Sequence, residues 1–507
     1  MTASSPATTG TSAGAFGTVI LEESPHDELA IFGYAQELKR SLGPFASFAA
    51  GFSFVSILTT VFQLFAFGFS FGGPAFFWTW PLVFLGQLMV ALCFAELAAR
   101  YPIAGCVYQW SRRMSTPTVG ALAGWLMLVG QIVSVAAAAI ALQVVLPSVW
   151  SGFQVVGGDP TLTTSSGATN AVLLGSILIV ATTIISAVGV RIMSIVNSVG
   201  VACELAGVAL LVVLLFTHAQ RGPGVVLHTG GLGHGYLWPF LISALMAAYV
   251  MYGFDSAGEL SEETHQPRRT APRAILRALI ASGIGGGLLL VAALMAAPSV
   301  SDGQLASGGL PYVLTSSLGS GVGRALLCDV AIAICVCTLA IQTAASRVAF
   351  SLSRDRVLPL SNHLGRVNPA TGAPILPTVL VGLLAILLLV VNVGQAQLFT
   401  ALTGVAVVVV YLAYLMVTVP LLVRRVRGGL PEGDGFSLGR AGIGVNVVAV
   451  LYGGFMVVNM AWPRSAVYDP AGGHWYLQFF ALLFVAVVLA VGALVTRGRT
   501  TPAEVAA

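Results

Sequence analysis

Charge is scarce in this chain. Its 507 residues include 19 acidic and 23 basic side chains, 8% in all, against 57% hydrophobic residues and a mean hydropathy of +0.92. Soluble domains carry about a quarter of their residues charged, so this composition excludes a soluble protein and leaves a polytopic membrane protein. Cysteine is equally sparse. Cys93, Cys106, Cys203, Cys328, Cys335 and Cys337 lie in or beside apolar runs, with neither metal-ligand spacing nor a secreted disulfide pattern. No HExxH, no Cys/His pair and no phosphate-cradling glycine loop is present, which argues against a membrane-embedded metalloenzyme and an ATP-driven pump. No cofactor and no metal is therefore expected. The net charge of +4 is no nucleic-acid footprint, because the basic residues sit at the ends of apolar runs. None of the seven histidines falls inside a run, which excludes a histidine relay. No stretch is long and polar enough for the soluble domain that a membrane sensor would carry.

Residues 1 to about 20 are small and polar and form a tail without the charged and apolar regions of a signal peptide. Residues 21–43 are charged and expected to form a short cytoplasmic helix, with Gly43-Pro44 marking where the membrane begins. Twelve apolar runs follow, near 45–71, 76–98, 119–146, 171–190, 193–216, 237–263, 274–298, 322–352, 375–393, 396–423, 441–461 and 475–496. Each approaches the length of roughly 20 residues that a bilayer requires. With both termini inside, only Arg221, Arg324 and Arg464 of the 23 basic residues face outward, as the positive-inside rule demands of a cell-membrane protein. The expected division is a cytoplasmic tail at 1–43, an all-helical transmembrane body at 44–496 and a second tail at 497–507.

The most informative stretch is MAAYVMYGFDSAGELSEET, residues 246–264. Gly253 and Gly258 flank Asp255 within an apolar run. Each glycine costs a straight helix about 1 kcal/mol relative to Ala, and a carboxylate at bilayer depth costs roughly 2.5 kcal/mol or more. A helix interrupted at a solute site uses all three, because irregular backbone at membrane depth is tolerated where protein or a water-filled cavity satisfies it; the alternative is a glycine packing notch beside a carboxylate paired for stability. The first run places Ser53, Ser56, Thr59 and Thr60 at similar depth. The two runs lie five apart and cross in opposite directions, so a matched pair of interrupted helices points to an inverted-repeat transporter with a midplane site.

The segments GYAQELKRSLGPFASFAAGFSF (33–54), AELAARYPIAGCVYQW (95–110), GFDSAGELSEETHQPRRTAPRAI (253–275) and SRDRVLPLSNHLGRVNPATGAP (353–374) resemble the amino acid–polyamine–organocation permeases. Among these they are most similar to the branch that carries amino acids, 4-aminobutyrate and choline. The resemblance implies a five-plus-five inverted repeat with two further helices, working by alternating access. The first repeat would cover about 44–216, the second about 237–423, and helices 11 and 12 about 441–496. It also implies a break in helix 1 at Ser56-Ile57-Leu58-Thr59-Thr60, with Leu58 and Thr60 where relatives carry glycines. Tyr249 matches an aromatic that closes over the substrate, and Asp255 an acidic position at the helix 6 break. Glu204 stands where cationic amino acid carriers have a lysine, and Gly105-Cys106 where relatives have two glycines.

The expected solute is an amino acid or a related small amine. A helix 1 outer half beginning near Val61 would offer its N-terminus to a carboxylate. A helix 6 outer half ending near Tyr252 would offer carbonyls to an ammonium, with Tyr249, Tyr252 and Phe254 adding cation–π attraction of about 0.5–2 kcal/mol. Ser56, Thr59, Thr60 and Gly253 complete the expected binding set. Glu204 lies 13 residues past Arg191, roughly 20 Å into the bilayer, with no basic residue at that depth. A carboxylate so placed takes and releases a proton, which makes Glu204 the first candidate for proton coupling and Asp255 the second. The alternative for Glu204 is a structural acid bonded to Ser or Asn. Asp329 is expected to pair with Arg324, and Glu96, Glu259, Glu262 and Glu263 with Arg100, Arg268 and Arg269 at cytoplasmic helix ends. Thr338, Gln342 and Thr343 are a thin oxygen set for sodium, so protons or simple exchange are favoured.

Overall fold

Backbone amides in hydrocarbon find no water, so an apolar run must close its hydrogen bonds within itself, and helix is the form that does so. The computed structural model describes residues 27–231, 235–301, 303–391, 393, 398–430, 435–469, 472 and 474–497. Among the described residues regular structure is helical throughout, apart from one isolated bridge between Leu42 and Thr264. Ten helices there are long and apolar enough to cross a membrane, and Leu237–Val250 and Ile375–Val390 are shorter apolar ones.

Each expected run holds one of these twelve, ten long and two shorter. Span 1 is Pro44–Val55 followed by Ile57–Gly72, span 2 Thr79–Arg100, span 3 Pro117–Val149, span 4 Ser165–Val188 and span 5 Val190–Thr217. Span 6 is Leu237–Val250 with a short continuation at Ser256–Glu259, span 7 Pro267–Ala296 and span 8 Ser320–Arg354. Spans 9 to 12 are Ile375–Val390, Leu398–Val426, Gly442–Ala461 and Phe480–Thr496. Local chemistry sets the starts. Proline opens spans 1, 3 and 7, where the missing N–H costs nothing. Thr116 and Thr164 cap spans 3 and 4 through Val119 N and Gly167 N at 3.3 and 3.1 Å.

Small residues bring the helices close. Cβ atoms at Gly283 and Gly286 of span 7 would run into Phe84 and Trp80 of span 2, and Trp80 Nε1 donates to the Gly283 carbonyl at 2.7 Å. The most apolar window of span 1 is 89% buried against 22% for span 12, so span 1 is central and span 12 peripheral. Spans 4, 5, 9, 11 and 12 expose large apolar side chains such as Ile177, Val213, Leu387, Leu451 and Val487. One face collects Arg100, Arg112, Arg354 and Arg425 in ion pairs, and is called the basic face.

Three connections differ from expectation. Residues 21–26 lie outside the described set, and Asp27–Ala30 is a single turn, closed at Gly33 (φ 81°), instead of a helix running to residue 43. Residues 41–42 are extended because Ser41 and Leu42 N–H both donate to the Glu263 carbonyl at 2.9 Å, zipping the approach to span 1 onto the end of span 6. The segment after span 8, by contrast, carries the short surface helix that its mix of charge, leucine and proline implies, at Ser361–Leu364. Two further helices escaped the periodicity: Cys106–Met114 before span 3, and Gly303–Ser317, kinked at Gly309, before span 8.

Candidate functional site

Span 1 breaks at one residue. Ser56 takes φ 36° and ψ 96°, a left-handed backbone that costs a non-glycine residue about 1–3 kcal/mol. The contacts it makes offset that cost. Its Oγ accepts the Thr59 N–H at 3.4 Å and so caps the second half of the span. The same hydroxyl reaches Thr59 Oγ1 at 2.7 Å and Glu204 Oε1 at 2.9 Å, while the Leu58 N–H donates to Glu204 Oε1 at 3.0 Å. The helix therefore resumes at Ile57, four residues before the expected Val61, because the cap and Glu204 satisfy its first amides. Leu58 and Thr60 sit without strain where the resemblance implied glycines, since within this break the positive φ falls on Ser56 alone.

A helix N-terminus attracts a carboxylate, and the one found here belongs to the protein. Glu204 is 1% exposed, and its second oxygen, Oε2, has no partner. Among the described residues no cation is bonded to it. One turn along span 5, Asp329 of span 8 packs over Gly207, where a Cβ would displace it. The expected pair of Asp329 with Arg324 does not form among the described residues, and Asp329 Oδ2 is buried without a partner.

Span 6 stops at Val250, two residues before the expected Tyr252, and resumes at Ser256. Gly253 sits in the gap at φ 89°, and a Cβ there would collide with the ring of Phe54 on span 1. Glycine is needed on both counts. Tyr414 of span 10 clips the gap: its hydroxyl accepts the Gly253 N–H at 3.0 Å and donates to Asp255 Oδ1. Ser256 Oγ donates to the Ala50 carbonyl at 3.2 Å, tying this break to the first half of span 1.

Aromatic rings surround the junction. Tyr249 and Tyr252 meet edge to face at 5.5 Å, Phe54 meets Tyr252 at 6.0 Å, and the Tyr252 and Ser134 hydroxyls are 2.7 Å apart. Thus Ser56, Thr59 and Glu204 are joined directly, and Tyr249, Tyr252, Gly253 and Asp255 line the second break. Two expected residues point elsewhere. Thr60 Oγ1 donates back to the Ser56 carbonyl at 2.7 Å, and Phe254 is packed against Phe94 and Tyr414 at 6.1 and 5.7 Å. Tyr414, Gln131 and Ser134 were missed by sequence reasoning. Their signal was present, as a polar pair one turn apart in run 3 and a tyrosine pair, Tyr411 and Tyr414, in run 10.

The acids on the basic face choose other partners than their sequence neighbours. Glu262 takes both terminal nitrogens of Arg354, at 2.8 and 3.0 Å, and Glu263 takes Arg347 at 2.8 Å, both from span 8. Arg268 and Arg269 had been expected, but the short 3-10 turn Ser261–Glu263 faces span 8, and Arg269 is exposed. Glu96 does pair with Arg100 at 2.8 Å, and also with Arg425. Glu259 is fully buried and bonded to the amide of Gln131 at 2.9 Å. Gly105 keeps φ 81°, and Cys106 seats its Sγ over Gly258, which must stay small to receive it. On span 8, Thr338 bonds its own helix, and Gln342 is held by Thr182 and Thr183 of span 4.

The family model described as amino acid permease matches residues 42–491. A protein of Oryza sativa subsp. japonica named Amino-acid permease BAT1 homolog is 28% identical, over 87% of this chain and 88% of its own. Amino-acid permease BAT1 of Arabidopsis thaliana is 29% identical, over 85% of this chain and 87% of its own. Amino-acid permease 2 of Neurospora crassa is 25% identical, over 96% and 91%.

Proposed function

This chain belongs to the amino acid permease family, whose members are transporters and not enzymes, and on that premise we propose that it carries an amino acid across the cytoplasmic membrane by alternating access, with a proton on Glu204 as the coupled ion. The observation that carries the coupling is the bond from the Leu58 N–H to Glu204 Oε1 at 3.0 Å. The N-terminus of the second half of span 1 is the place for a substrate carboxylate, and an ionised Glu204 already fills it. Two carboxylates at one helix end repel. A proton on Glu204 removes that repulsion, so proton and substrate bind together and leave together. The amine of the substrate meets the end of the first half of span 6, under Tyr249 and Tyr252. The basic face is cytoplasmic, because inverting it would reverse the positive-inside bias.

A choline-like, ethanolamine-like or polyamine substrate is the second reading, and the same bond favours it in one respect: an ionised Glu204 attracts a cation without any carboxylate. The two readings differ in sign. An amino acid binds more tightly as pH falls and Glu204 gains its proton; an amine without a carboxylate binds more tightly as pH rises. The test is a thermal-shift panel of amino acids, 4-aminobutyrate, choline and polyamines on the purified protein at two pH values. A ligand at 100 times its Kd adds about 2.7 kcal/mol. Uptake of the best ligand into proteoliposomes under an imposed pH gradient follows. No stabilisation by any amino acid, or uptake that follows sodium and ignores pH, sinks the proposal.

A further inference from the structure

Beyond Glu204, the second break holds a carboxylate arrangement of its own. Asp255 and Glu259 are one helical turn apart, the Glu259 N–H donating to the Asp255 carbonyl at 3.1 Å, and both side chains are 0% exposed. Each has one oxygen bonded to a neutral donor: Asp255 Oδ1 to the Tyr414 hydroxyl, and Glu259 Oε1 to Gln131 Nε2 at 2.9 Å. Among the described residues, their other oxygens, Asp255 Oδ2 and Glu259 Oε2, are buried without a protein partner, and so is the acceptor oxygen of Gln131.

The neighbours sharpen the contrast. Glu262 and Glu263, three and four residues further on, each receive an arginine from span 8. The groups facing the pair are Gln131 of span 3, Tyr414 of span 10, Cys106 across Gly258, and Arg347 of span 8, which is bonded to Glu263 and Ser346. None of these bonds brings a cation onto Asp255 or Glu259. Three buried acceptors that no described protein donor reaches call for a proton, and two ionised carboxylates one turn apart, facing only an arginine already bonded to Glu263, are too costly to persist.

We infer that Asp255 and Glu259 hold one proton between them and act as a single protonation site, separate from Glu204, on the basic-face side of the span 6 break. The proton adds to one carboxylate oxygen, which leaves the pair with one negative charge. It departs to water when the packing of Phe254, Trp110 and Cys106 around the pair opens. The transporter reading supplies what the proton is used for, but its presence does not depend on that reading.

The test is an infrared titration of the carboxyl C=O stretch on the full chain in lipid nanodiscs, without substrate, in choline chloride. Wild type is expected to show a protonated-carboxyl band at neutral pH. Asp255→Asn and Glu259→Gln should each remove the same part of it, because the remaining acid ionises once its partner's charge is gone. The double variant should remove no more than either single one, and Glu204→Gln should leave that part in place. Loss in only one single variant, additive losses, or no loss in either overturns the inference. So does disappearance of the wild-type band when sodium chloride replaces choline chloride, which would make the site a metal-cation site. Should an isostere fail to elute as a single species, Tyr414→Phe carries the test. It removes the donor to Asp255 Oδ1, so the band's midpoint should move to higher pH, and an unmoved midpoint refutes the shared site. Because no transport is measured, a failure here and a failure of gradient-driven uptake are separate results.

Discussion

Two substitutions at Glu204 separate what its carboxylate holds from what it titrates. Glutamine keeps an acceptor at the position of Oε1, so the bonds from Leu58 N (3.0 Å) and Ser56 Oγ (2.9 Å) survive. Leucine fills similar space and accepts nothing. It orphans a buried backbone N–H, at about 1–3 kcal/mol, and loses a hydroxyl bond worth about 1 kcal/mol. The left-handed Ser56 then loses much of what holds it, and the conformation with span 1 broken is destabilised by about 2–4 kcal/mol. If substrate binds only to the broken conformation, affinity falls by about 30-fold to 1000-fold. Glu204→Gln should bind substrate and catalyse counterflow at near wild-type rates, yet gain nothing from a proton gradient. Binding is read by the stabilisation that ligand confers on the purified variants, and coupling by uptake into proteoliposomes with and without the gradient. If glutamine and leucine weaken binding equally, the Leu58 contact is immaterial. If the glutamine variant still follows the gradient, Glu204 is not the coupling group.

Other outcomes follow from the same contacts. Gly253→Leu should insert and fold but not bind substrate, because its side chain would occupy the space of the Phe54 ring and φ 89° disfavours any Cβ; normal ligand stabilisation of that variant would show the gap to be dispensable. Tyr249→Ala should cut uptake at least tenfold and Tyr249→Phe little, since in the proposed cycle it is the ring, which meets Tyr252 at 5.5 Å, and not the hydroxyl that closes over the substrate; equal losses would assign the role to the hydroxyl. Arg347→Met leaves Glu263 buried and unpaired, which should cost about 3–5 kcal/mol and lower the melting temperature clearly. Adding Glu263→Met should restore most of that loss, and a double variant as unstable as the single one would mean that the pair's charge is not the issue.

Span number, the interruption of span 6 and the burial of Glu204 were all legible in the linear chain. Hydropathy reports what a bilayer will accept, and a glycine beside a carboxylate pointed to the break at Gly253, whereas Gly258 makes room for Cys106. The four-residue error at Val61 had a local cause: no propensity rule assigns a left-handed backbone to Ser56, whose conformation is held by an acid 148 residues away. The same limit explains the acids on the basic face. Arg268 and Arg269 are near Glu262 and Glu263 in sequence, but the arginines that reach them come from span 8, 84 and 92 residues on. Glu259 looked like one more surface acid and is instead sealed against Gln131 and beside Asp255. Which polar group meets which is settled by the rotation and spacing of packed helices, and those depend on glycines meeting rings, such as Gly283 with Phe84. In hydrocarbon a buried polar atom finds its partners inside the protein or goes without, so the packing that brings two helices together also selects the pairs.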